Sequence, residues 1–275
     1  MMFDHVSKET FAAAYNQQYN MSNIRKFLFR RGNHWALKLE RLQALIQKLD
    51  LPGHHLLDLG CSIGTHAVEF AGQGWEAEGV DLDASAIETA QRLASHLKLN
   101  IPYKVGDISV ASLYPPETFD VVLAGDIVEH LPDHVLDQSL RNVKEWLRPG
   151  GYVIIHTVPT FFDYIFHKSL LWILVAPLAF LDDRPFTRLV RVYDRWVRRI
   201  PGLVREDPVS KIVHCNLQEP AGLKRHVEQA GFEVIALQTE ILEERFKSNR
   251  LKQILFKNKT VFQKNVFCVG WKSFL

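Results

Sequence analysis

LLDLGCSIG, residues 56–64, is the stretch on which the fold turns. Its apolar run ends at Gly60, a second glycine follows at Gly64, and THAVEFAGQG then continues with helical spacing. A short apolar run closed by glycine reads as a buried strand, and glycine lets the backbone turn and approach a ligand without a Cβ clash. The spacing is G-x-x-x-G and not G-x-G-x-x-G, a poor match to a dinucleotide-binding turn. Asp58, just ahead of the turn, would repel a pyrophosphate and suits a cationic ligand.

Outward from this turn, strand-like and helix-like segments alternate. EAEGVDLD (76–83) reads as a second strand, and Ser85 with Glu88 forms a capping-box pattern for a helix with Ile87, Ala90, Leu93 and Leu97 on one side. YKVGD (103–107) and FDVVLAGD (119–126) read as the third and fourth strands. A helix from Asp133 carries Leu136, Leu140, Val143 and Leu147, closes at Pro149, Gly150 and Gly151, and leads into the fifth strand, GYVIIHTV. After a gap in the rhythm, a helix from Glu219 to Ala230, capped by Gly231, precedes FEVIALQT, and NVFCVGWK forms a last strand. No crossover helix stands before that strand in the right place, so its pairing is expected to be antiparallel. Upstream, Asn33 caps a helix with Trp35, Leu39, Leu42, Ile46 and Leu49 at helical spacing.

Strands separated by helices imply right-handed βαβ crossovers. The expected fold is α/β: a doubly wound, mostly parallel seven-stranded sheet with a helical insertion after the fifth strand. The 275 residues divide into an N-terminal helical cap (1–50), a cofactor-binding core (51–159), an apolar and arginine-rich insertion (160–213) and the C-terminal part of the core (214–275).

A formal charge of +2 makes no global case for nucleic acid. Cys61, Cys215 and Cys268 are too few and too scattered for a disulfide framework or a zinc cluster, and a cytoplasmic setting is expected. The first twenty residues contain no apolar h-region, which argues against a secretory signal.

In open α/β sheets, ligands sit beyond the carboxyl ends of the strands. Asp81 ends the second strand, where an acid can accept both hydroxyls of a ribose, and Asp107 ends the third, within reach of an adenine amino group. Here the sequence resembles the class I S-adenosylmethionine-dependent methyltransferases. LLDLGCSIG looks like their first motif, with Ser62 where glycine is more usual. GVDLD resembles the ribose-binding segment, VGDIS the adenine-contacting one, and FDVVLAGDIVEHLPD the fourth-strand motif. LRPGGYVII matches the ubiquinone and menaquinone methyltransferase type, and HCNLQEPAGLKRHVEQAGFEV returns to the pattern. The resemblance implies a Rossmann-like methyltransferase fold. It also implies S-adenosylmethionine contacts at Asp58, Gly60, Cys61, Gly64, Asp81, Leu82, Asp107, Ile108 and Asp126.

Methyl transfer needs alignment above all, and a base only where the acceptor must lose a proton. Glu129 and His130 follow the fourth strand, and His130 is the candidate base; alternatively the pair merely opens the next helix. Asp126, Glu129 and His130, with His214, also resemble the E-x-x-E-H pattern of metal-using members. Asp126 replaces the first glutamate and shortens the reach, so a divalent metal is not favoured. His156 and His167 read as ordinary buried or interfacial histidines.

Leu170 to Leu181 is an apolar run of 12 residues. At about 1.5 Å per residue it covers roughly 18 Å, short of the ~30 Å hydrocarbon core of a bilayer. Beyond it, Arg188, Arg191, Arg195 and Arg198 repeat at three and four residues, with Leu189, Val192, Trp196 and Ile200 as the opposite stripe. Such a basic amphipathic helix suits a membrane interface. The expectation is methyl transfer to a lipophilic small molecule (a quinone precursor, isoprenoid or lipid) by an enzyme held on the inner face of a membrane. An anionic surface would be met through residues 161–205, with Phe161, Phe162, Phe166 and Trp172 in the acceptor pocket. The alternatives are a soluble small-metabolite methyltransferase with the insertion as a lid, and a non-catalytic cofactor-binding or partner-docking protein. RNA modification is disfavoured by the near-neutral charge.

Overall fold

A computed structural model of the chain describes residue 27 and residues 33–157, 172–197, 215–216, 218–240, 250–256 and 265–274. Seven strands form one sheet in the order β3-β2-β1-β4-β5-β7-β6. They are β1 (His55–Leu59), β2 (Glu76–Asp81), β3 (Tyr103–Val105), β4 (Phe119–Gly125), β5 (Leu147–Thr157), β6 (Glu233–Glu240) and β7 (Asn265–Trp271). The first five pair in parallel, and β7 lies antiparallel between β5 and β6. The mixed, doubly wound sheet read from the sequence is therefore present, including the antiparallel last strand.

The described helices are α1 (Asn33–Ile46), α2 (Thr65–Ala71), α3 (Ala84–His96), α4 (Asp133–Trp146), α5 (Trp172–Val175), α6 (Asp183–Val197), α7 (Pro220–Gln229) and α8 (Arg250–Phe256). Central strands are apolar on both faces because both faces are covered. On one side Leu57, Val122, Val153 and Ile155 pack with Leu140, Val143 and Trp146 of α4 and Leu223 and Val227 of α7. On the other, Leu56, Val121, Leu123 and Ile154 pack with Leu42 and Ile46 of α1, Phe70 of α2 and Leu93 of α3. The strands thus alternate between two cores, one closed by α4 and α7 and the other by α1, α2 and α3.

Two local expectations are corrected. The cap of α3 is Asp83, whose carboxylate accepts the Ser85 N–H at 2.8 Å, while Glu88 pairs outward with Arg92. Asp83 wins because its short side chain reaches the free N–H groups of the first turn directly. Likewise α4 ends at Trp146, and LRPGG already belongs to β5, where Leu147 pairs with Phe119 across a register shift. Pro149 supplies no N–H to continue a helix, so the chain extends early.

Asp120, at the start of β4, pins the far end of the sheet. Nearly sealed from solvent, it accepts the His55 N–H and the Arg148 Nη1–H, both at 2.9 Å. Charge-assisted hydrogen bonds of this sort are worth about 1.5–3 kcal/mol each. Asp120→Ala is expected to lower unfolding free energy by about 2–3 kcal/mol, read by chemical denaturation. Cofactor affinity should stay unchanged, because Asp120 lies at the opposite end of β4 from the site.

Candidate cofactor and acceptor site

The carboxyl edge of the sheet is built by tight turns. Between β1 and α2 the backbone takes positive φ three times, at Gly60 (67°), Ser62 (48°) and Gly64 (73°). A Cβ on Gly60 would fall 2.1 Å from Ile127, and one on Gly64 would fall 2.3 Å from the Tyr103 hydroxyl, so a side chain at either would have to displace its neighbour and hold a positive φ. Ser62 tolerates its strained conformation because Asp81 accepts its N–H at 2.8 Å. The Cys61 N–H donates to the Val80 carbonyl at 3.0 Å, and the Tyr103 hydroxyl donates to the Gly64 carbonyl at 3.2 Å. The first turn is therefore sewn to the end of β2 and to the first residue of β3.

The predicted residues divide by what their side chains do. Asp58 is buried; its carboxylate accepts the Ala67 N–H at 3.2 Å and lies 3.6 Å from His66 Nδ1, so it braces the start of α2. Asp81 holds Ser62 with one oxygen and accepts the Asp83 N–H at 2.9 Å with the other. Burial raises its carboxyl above the ordinary range. Each carboxylate oxygen has two lone pairs, so both can still accept a hydroxyl. Leu82 beside it is exposed, as an apolar platform for a ring would be. Asp107 accepts the backbone N–H and hydroxyl of Ser109, and Ile108 is buried with its carbonyl bonded to Asn142. From Asp107 to Asp126 the edge crosses three strand spacings, roughly 14 Å. That is room for an extended nucleoside.

A second cluster lies past β4. Asp126 itself has φ 58°, and its carboxylate meets Lys38 Nζ at 2.5 Å through one oxygen and His156 Nδ1 at 2.6 Å through the other. Burial alone would raise this carboxyl, but the Lys38 ammonium and His156 outweigh it and hold it well below the usual range. Glu129 and His130 sit in the 3-10 turn Val128–His130. Glu129 is buried, accepts the Thr157 hydroxyl at 2.8 Å, and is pushed up to about 8 by burial and by the nearby Asp126 charge. His130 is half-buried beside it. Asn216 fixes this turn from outside, donating to the Glu129 and Leu131 carbonyls and to Asp133.

Sequence reading missed Lys38 and Thr157, and it took His156 for an ordinary core histidine. The signal for Lys38 was its place in α1, three residues after Trp35 and four before Leu42, on the apolar stripe where a cation needs a partner. Of the metal pattern, Asp126, Glu129 and His130 are among the described residues and His214 is not. One oxygen of Asp126 accepts from Lys38 and the other lies 2.6 Å from His156, Glu129 accepts from Thr157, and among the described residues no three His, Cys, Asp or Glu side chains could hold an ion. His214, His167, Phe161, Phe162 and Phe166 lie outside the described residues, and Trp172 opens α5.

The comparisons with known proteins bear on the family and the fold. A methyltransferase-domain family profile matches residues 26–237. Ubiquinone biosynthesis O-methyltransferase of Coxiella burnetii is 31% identical over 118 residues, 43% of this chain and 49% of that protein. Phosphoethanolamine N-methyltransferase 3 of Arabidopsis thaliana is 33% identical over 145 residues, 51% of this chain and 29% of that protein. The chain thus spans half or less of the length of these curated relatives. A SAM-dependent methyltransferase structure from Archaeoglobus fulgidus superposes with a TM-score of 0.55 at 18% identity, covering 91% of this chain and 99% of its own. One from Methanosarcina mazei gives 0.54 at 16%, covering 84% and 98%. The chain belongs to the methyltransferase-domain family, with the fold of the class I S-adenosylmethionine-dependent enzymes.

Glu129 makes stability depend on pH. Between about 4.5 and about 8 the folded chain keeps a proton that the unfolded chain has lost, so stability falls as pH rises through that window. Glu129→Gln should flatten this slope and leave the protein at least as stable as wild type above neutrality. Thermal melts between pH 5 and pH 9 will read it.

Proposed function

We propose that this protein transfers a methyl group from S-adenosylmethionine to a lipophilic small molecule while resting on an anionic membrane surface. The sulfonium supplies an electrophilic methyl group; the chain's part is to bind, align and exclude water. Asp81 would take the ribose hydroxyls, Asp107 and Ile108 the adenine, and Gly60, Cys61 and Gly64 would let the backbone close on the nucleoside. Leu82 would flank the adenine and Asp126 would lie toward the methyl group.

The observation that carries the membrane reading is the division of α6 into three sectors. Phe186 and Val190 are buried, and the Phe186 ring packs 5.9 Å from Phe256 of α8. Leu189, Val192 and Trp196 are instead exposed at 46%, 57% and 61%, along a line of their own. By helical position, residues 184, 188, 191 and 195, all arginines, fall on the next sector round. An exposed apolar ridge beside cations fits the boundary between acyl chains and anionic headgroups. Basic residues near such a surface contribute about 1 kcal/mol each. Phe180 (83%) precedes this ridge, and Leu251 and Ile254 of α8 are exposed as well. No described helix is long and apolar enough to cross a membrane.

The buried side of the same helix also supports a cap, since Val175, Phe186, Val190 and Phe256 are all sealed. One insertion can cover an acceptor and dip into lipid. The relatives, a ubiquinone biosynthesis O-methyltransferase and a phosphoethanolamine N-methyltransferase, leave the acceptor to experiment.

Labelled S-adenosylmethionine should transfer its label into a cell lipid extract and not into a soluble extract. The protein should float with vesicles containing phosphatidylglycerol, and the triple change Arg188→Glu, Arg191→Glu, Arg195→Glu should cut flotation at least about tenfold. Undiminished flotation of that variant would remove the account of α6; no calorimetric heat with the nucleoside would remove the whole reading.

A further inference from the structure

We propose that Lys38 is a built-in cation of the acceptor site, its ammonium seated on Asp126 and ready to receive an anionic oxygen of the acceptor. The inference rests on the methyl-transfer reading above and narrows it: the acceptor presents an acidic hydroxyl, not an amine.

The argument starts from the disagreement between motif and geometry. In the metal-using pattern that the sequence resembles, carboxylates at the end of β4 face a divalent ion. Here the Asp126 carboxylate faces an ammonium at 2.5 Å and an imidazole at 2.6 Å, so the charge that would draw a metal is already answered by the chain. Lys38 comes from α1, 88 residues away in sequence, which makes the pairing a product of the fold and not of a local turn.

The ammonium is not saturated. A lysine has three N–H donors. Among the described residues Lys38 has one partner, Asp126, although only 11% of its side chain is exposed. Buried donors ordinarily find acceptors, so two unspent donors on a nearly buried cation point to an oxygen that arrives with the ligand. The pair also borders open space, since 36% of the Asp126 side chain remains accessible.

The same arrangement selects by charge. A bare Asp126 would attract a protonated amine, but the Lys38 ammonium cancels that attraction and repels a second cation. An acidic hydroxyl beside an ammonium gains from ionising, because a nearby positive charge favours the anionic form. Its proton leaves to the buffer as the oxygen settles on Lys38, and no other group need change its state.

A chromogenic phenol tests this without turnover. 4-Nitrocatechol is titrated into the full-length protein with S-adenosylhomocysteine present, in buffer below the pKa of the free probe. Wild type should raise the phenolate absorbance about tenfold over free probe, the size of a one-unit pKa change. Lys38→Met should abolish the rise, Lys38→Arg should keep most of it, and neither EDTA nor magnesium should alter it. Phosphoethanolamine should not displace the probe. The proposal is overturned by the absence of the band in wild type, by an equal band in Lys38→Met, or by a band that needs magnesium. Loss of S-adenosylhomocysteine binding in both variants would overturn it too, by making Lys38 a structural residue. Failure of wild type to bind the nucleoside at all would instead count against the methyl-transfer reading.

Discussion

The acceptance of the Ser62 N–H by Asp81 is the contact on which the carboxyl edge depends. It holds a turn in which a non-glycine residue carries positive φ between two glycines that do the same. A left-handed conformation costs a non-glycine residue roughly 1–2 kcal/mol, and a charge-assisted hydrogen bond of the observed kind is large enough to offset it. With Ser62 held, Cys61 can bond to Val80 and Gly64 can accept from Tyr103, which ties the ends of β1 and β2 to the start of β3. Asp81 therefore shapes the rim as well as standing in it.

The other half of the site is governed by charge balance. Asp126 and Glu129 are both carboxyls near the end of β4, and they are held in opposite states. Asp126 is kept ionised by Lys38 and His156, while Glu129 is driven toward its protonated form by burial and by Asp126 itself. One ionised group makes the second ionisation costly when the two share a poorly solvated space. The cluster therefore carries less negative charge than its composition suggests.

Much of this was legible in the residues, for identifiable reasons. The strands are short apolar runs ended by glycine or aspartate, and the helices keep a clear apolar stripe, so order and direction followed from pattern. Even the antiparallel last strand could be read, from the lack of a crossover helix. What could not be read was contact across distance. Lys38 and Asp126 are 88 residues apart, and nothing in either neighbourhood names the other. The same holds for Thr157 and Glu129. Short-range rivals misled as well: Ser85 with Glu88 fits the capping pattern, but Asp83 stands closer to the free N–H groups and takes the role. In α6 the pattern showed apolar and basic stripes, yet not that Phe186 and Val190 would be the buried pair while Leu189, Val192 and Trp196 faced out.

The place of β7 has a bearing on how the protein is made. This strand, residues 265–271, fills the gap between β5 and β6 and lays Phe267 against His156, with the ring centroids 4.6 Å apart. Until those residues leave the ribosome, β5 is an uncovered sheet margin and His156 lacks the Phe267 ring beside it. Strands β1 to β4 can pair before β7 is made, whereas the cover over His156 waits for residues 265–271. A chaperone that shields the β5 margin during synthesis would raise the yield of folded protein.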